Sequence, residues 1–189
     1  DADGISTSAS ISGAAALTIN GTLASGGSYT SGDNIGQIIT ITSAGDDTGI
    51  TFTVVGTNAV GDALTEVVTG ADTAAASSSG YFNTVASITT SASSDAAVTA
   101  GVTGTGTGTV FAGRTRIRGL QGLSAATAGN LLFKNTSVTG TTLLTVPTST
   151  STTDLIEPYI PDNGVLFDAG AYVSFGAGLA AGVTVFYDG

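Results

Sequence analysis

The chain has 189 residues, four basic side chains against fourteen carboxylates, a formal net charge of −10, and no His, Cys, Met or Trp. Without His or Cys there is no Ser-His-Asp or Cys-His triad, no usual zinc site, no disulfide framework and no thiolate redox centre. The composition therefore favours a structural or binding protein over an enzyme, and Val, Ile, Leu and Phe are frequent enough to build cores.

Residues 1–16 begin Asp1-Ala2-Asp3-Gly4, lack the basic start and apolar core of a signal peptide, and read as an arm. From 17 to 103 the periodicity is that of strands. Ile38 to Thr42, Ile50 to Val54, Leu64 to Thr69, Tyr81 to Thr90 and Val98 to Val102 alternate apolar with hydroxyl side chains, placing Ile50, Phe52 and Val54 on one sheet face. Turn chemistry separates them at 43–49 and 56–62. Residues 104–113 open with Gly-Thr repeats too rich in glycine for a central strand, and read as a linker. Seven short β candidates follow: Arg114 to Leu120, Leu131 to Lys134, Thr141 to Val146, Leu155 to Ile160, Val165 to Phe167, Ala171 to Phe175 and Val183 to Tyr187. Pro158 and Pro161 make Tyr159-Ile160 an edge or loop. The expected fold is all-β: two antiparallel β-sandwich or jelly-roll-like domains, 17–103 and 114–189, joined by the Gly/Thr linker. No stretch of about 18 apolar residues occurs, so no membrane-spanning helix is expected.

All four basic residues, Arg114, Arg116, Arg118 and Lys134, lie within twenty-one positions. On a strand, Arg114, Arg116 and Arg118 project from one face and Thr115 and Ile117 from the other. Such a row is either a solvated face paired with acids of the same chain or a docking surface, since guanidinium forks bind carboxylates in bidentate fashion. Nucleic acid is not an expected partner, because the overall negative field repels phosphate.

Asp46-Asp47 sit in a glycine-flanked turn and Asp1–Gly4 resembles a fragment of a calcium loop; neither has the remaining oxygen ligands, and both read as Asx turns with at most a weak surface Ca²⁺. Gly104 to Gly108 lacks the Lys and the following helix of a phosphate loop. Glu66 and Glu157, the only glutamates, fall in different domains and do not suggest a catalytic pair. The aromatics Tyr81, Phe82, Phe167, Tyr172, Phe175, Phe186 and Tyr187 are expected to serve core and interdomain packing.

The run Gln37-Ile38-Ile39-Thr40-Ile41-Thr42, its turn 43–49 and Ile50-Thr51-Phe52-Thr53-Val54-Val55-Gly56-Thr57 resemble a module of small virion proteins of tailed bacteriophages. So do Leu64 to Gly70 and Gly80 to Ile88. The second half, with Ala128-Gly129-Asn130-Leu131-Leu132-Phe133-Lys134, Gly164-Val165-Leu166-Phe167 and Val183-Thr184-Val185-Phe186-Tyr187, is similar to an element of marine phages, including cyanophages. The resemblance implies a non-enzymatic virion component without cofactors: a capsid decoration (cement) protein on the outer surface of the head. Its implied partners are the major capsid protein and copies of itself, as a homotrimer near local three-fold axes, with neither nucleic acid nor membrane. The arginine row would make the second domain the anchor. Rival readings are a tail, neck or fibre component, against whose fibre form the lack of repeats counts, and a bacterial surface-layer or filament module.

Overall fold

The computed structural model describes residues 1–31, 35–124, 128–176 and 179–189, with 179–182 as backbone only. Among the described residues all regular structure is strand, and every described pairing is antiparallel. The chain divides into two compact units, Asp1–Gly104 and Thr105–Gly189. The all-β, sandwich-like expectation therefore holds.

The first unit contains β1 (Ser6–Ser10), β2 (Ala24–Ser25), β3 (Ser28–Thr30), β4 (Gly36–Ser43), β5 (Thr51–Thr57), β6 (Ala63–Thr69), β7 (Ala75–Phe82), β8 (Thr84–Thr90) and the start of β9 (Ala97–Phe111). One layer runs β2-β3-β8-β5-β6; the other places β4 between β9 and β7, with β1 also on β9. Alternation does the sorting in β4 and β5, and a register shift against β5 lets Val85 and Ile88 of β8, three residues apart, face the same way. Ile39 and Ile41 of β4, Phe52 and Val54 of β5, and Val85 and Ile88 of β8 turn inward and are fully buried in one cluster drawn from both layers. Truncating a side chain such as Phe52 costs about 3–5 kcal/mol of stability by lost burial and cavity formation.

Three expectations need correction. Residues 1–16 are not an arm. Asp1 N donates to Val102 O at 3.0 Å, Val102 N donates to Asp1 O at 2.8 Å, and β1 pairs with β9. Gly101 makes that crossing feasible, because a Cβ there would sit 1.9 Å from Asp1 O. Tyr81 to Thr90 is not one strand. It breaks at Asn83, whose N–H bonds Thr57 O and whose carbonyl accepts from Ser31 N, so β7 and β8 join different layers. The Gly/Thr run is not a linker as far as Phe111. It is strand, with Gly106, Thr107, Gly108 and Thr109 opposite Phe175, Ser174, Val173 and Tyr172. The ladder satisfies the glycine backbone, larger side chains lie opposite Gly106 and Gly108, and Thr107 Oγ1 is pinned to Val173 O at 2.9 Å.

The second unit contains the rest of β9, β10 (Thr115–Ser124), β11 (Gly129–Asn135), β12 (Thr142–Thr148), β13 (Leu155–Ile156), β14 (Val165–Phe167), β15 (Ala171–Phe175) and β16 (Leu179–Asp188). One layer runs β12-β11-β15-β9; in the other, β10 carries β16 on one side and the short β13 and β14 on the other. Ile117, Leu120, Leu131, Phe133, Val146 and Phe167 fill the core between them. Of Leu155 to Ile160, only Leu155 and Ile156 are strand, as the flanking prolines require.

Candidate docking face

β10 sets the geometry of the arginine row. Thr115 and Ile117 are buried, Arg114 and Arg118 are exposed and Arg116 is half-buried, so the three guanidiniums stand on the outer face. A turn at 161–164 arches over them, closed by Gly164 N donating to Pro161 O at 2.7 Å. Gly164 takes φ +64 against Ile117 O, where a Cβ would sit at 2.6 Å. Arg116 Nη1 donates to Asn163 O at 2.9 Å, and Arg118 Nη1 donates to Asp162 O. Arg118 Nε also pairs with Asp188 Oδ2 at 2.5 Å, whereas Arg114 stands 4.0 Å from Asp168. Arg116 and Arg118 thus hold this loop and the end of β16, and Arg114 is the most loosely held of the three. Exposed pairs of this kind contribute roughly 0–1 kcal/mol each.

Beside Arg118 lies a shallow groove of about 530 Å³ lined by Gly119, Gln121, Glu157, Tyr159 and Phe186. Phe186 covers bare Gly119, with a ring carbon 3.5 Å from where a Cβ would be. Tyr159 is 88% and Phe186 54% exposed. Arginine beside exposed aromatics is the composition enriched at protein interfaces.

Lys134 does not join this cluster. It follows inward-facing Phe133 on β11, and so lies on the outer side of the opposite layer. Phe82 and Phe167 are core residues as expected, but Phe186 and Tyr187 are substantially exposed. Tyr187 leans on Phe111 with centroids 5.6 Å apart. A register irregularity between Ile117 and Gly119 sets where Phe186 falls on the sheet, and no local sequence signal carries that information. Tyr159 was legible only as a residue of a proline-bracketed loop.

Several carboxylates have structural partners. Opposite Ile39, the pairing of β7 with β4 slips, and Glu66 accepts the Ser79 and Gly80 N–H groups at 2.5 and 2.8 Å. Glu66 is thus a clasp on β7, and Glu157 lies in the other unit. Asp46 caps its own turn. The Thr48 hydroxyl and N–H donate to Oδ1 at 2.7 and 3.1 Å, holding its carboxyl below the usual carboxylate range. Buried Asp47 accepts from Asp95 N at 2.8 Å. Asp1 accepts from Asp3 N and the Thr22 hydroxyl. Among the described residues, no group of three or more acidic side chains is arranged to hold a metal ion. Among the described residues, no helix is long and apolar enough to cross a membrane. Comparison with protein-family models, curated proteins and solved structures finds no match.

Proposed function

We propose that this chain is a non-enzymatic structural component of a tailed-phage virion: a decoration protein on the outer surface of the head that docks on the major capsid protein lattice and on copies of itself. The observation that carries this reading is the outer face of β10. There three guanidiniums stand on the outer side, Arg118 beside a groove that holds the exposed rings of Tyr159 and Phe186, in a chain whose other unit has no cationic side chain. Supporting it are the likeness of both halves to phage virion modules and a construction that needs no oxidisable thiol or thioether. On this reading the second unit is the anchor, its arginines meeting carboxylates of the capsid surface.

Cosedimentation with expanded phage heads that lack the protein tests this. The native chain is expected to pellet with heads to saturation. The triple variant Arg114→Ser, Arg116→Ser, Arg118→Ser should keep its circular dichroism and pellet at least tenfold more weakly. Full occupancy by the triple variant would remove the arginine row from the mechanism, and no binding by the native chain would overturn the head assignment.

A further inference from the structure

Exposed strand edges invite pairing with another chain, and proteins blunt them with short strands, prolines, bulges or charges. Most edges here are blunted. β2, β13 and β14 have two or three residues; β12 carries Pro147; β7 is irregular, with two of its N–H groups taken by Glu66; β6 carries Glu66 at its centre. β16 is different. It pairs with β10 alone among the described residues, and from Val183 to Tyr187 it has neither charge nor proline. Its side chains are also partly uncovered: Val183 and Val185 are half-buried, while Thr184, Phe186 and Tyr187 are exposed.

We propose that the open edge of β16, Val183–Asp188, is the contact for a second copy of this chain, the two strands running antiparallel about a two-fold axis at Val185. The segment is matched to itself in that register. Residues directly opposite in an antiparallel pair share a face. A two-fold at Val185 sets Val185 against its own copy, Val183 against Tyr187 on one face, and Thr184 against Phe186 on the other. The exposed Phe186 ring is thereby covered by the partner's Thr184, an aromatic and β-branched pairing that favours sheets. The uncharged stretch brings no like charges together across the axis, in a molecule whose net charge of −10 discourages self-contact elsewhere. It also offers a charged partner no ion pair between 183 and 187. This contact is isologous and closes as a dimer. Phe186 borders both this contact and the proposed docking face, and the strand-edge pairing stands whether or not the protein binds a capsid.

The absence of cysteine gives a direct test with the full chain. Sedimentation equilibrium of the native protein should give twice the chain mass. Thr184→Cys and Phe186→Cys, both at exposed positions, are then prepared separately and checked for native circular dichroism. Mixed and mildly oxidised, they should give a covalent dimer, since directly opposite residues lie within disulfide reach. Each alone should stay uncrosslinked, because its counterpart in the partner is the diagonal neighbour about 7–8 Å away. A monomer at all concentrations, cross-linking of either single variant alone, or an oligomer whose mixed variants do not cross-link would each overturn the proposal.

Discussion

Several single residues are fixed by backbone needs that no sequence motif displays. Glu66 is the clearest. Its carboxylate satisfies two N–H groups where the β4–β7 ladder slips, while the Ser78 hydroxyl bridges Ile39 N and Gly80 O at 3.0 and 2.8 Å. Glu66→Ala leaves both N–H groups without their acceptor and should cost about 1–3 kcal/mol in urea unfolding; an unchanged midpoint would deny the clasp. Tyr29 gives a pH signature. Burial raises its hydroxyl above the ordinary value of 10.0, with the Ser31 hydrogen bond pulling the other way. The native state then keeps a proton that the unfolded chain releases. This contribution is intact below the ordinary value and is lost as pH rises through the native one. Denaturation midpoints should fall in that alkaline window for the native chain, and less for Tyr29→Phe; identical alkaline profiles would contradict it.

At the scale of elements, what the sequence revealed depended on whether the signal was local. β4 and β5 were legible because Ile, Phe and Val recur every second residue and face one core, whereas β8 was legible only as part of a longer strand, its inward Val85 and Ile88 lying three residues apart across a register shift. The outward arginine row followed from the same period in β10. β1 was not legible: Ser-Thr-Ser-Ala-Ser has no apolar alternation, and Ile5 and Ile11 at its flanks supply the burial. The β2–β3 hairpin was missed although Gly26 and Gly27 both take positive φ, the conformation a tight two-residue turn needs. The Gly/Thr part of β9 looked like a linker because its strand character comes from β15, more than sixty residues later. Exposure of Phe186 was hidden for the same reason, since the register of β16 on β10 is a long-range property. The docking face was thus half legible: its cations were visible in sequence, its aromatic side was not.

Across the whole molecule, charge is divided unequally. Residues 1–104 hold nine carboxylates and no cationic side chain, whereas 105–189 hold five carboxylates and all four cations. Self-repulsion in the first unit should be relieved by screening. The melting temperature is therefore expected to rise between about 10 and 150 mM NaCl, as the Debye length shrinks from roughly 30 to 8 Å; a flat response would contradict this. On the proposed reading, the four cations confined to the second unit make it the side that meets carboxylates of the capsid surface. The most direct measurement is cryo-electron microscopy of expanded phage heads, lacking this protein, after saturation with the purified chain. The account predicts ordered density at repeated lattice positions, with β10 and the groove beside Tyr159 and Phe186 turned to the capsid. Bare heads, with correctly folded protein left in solution, would contradict it.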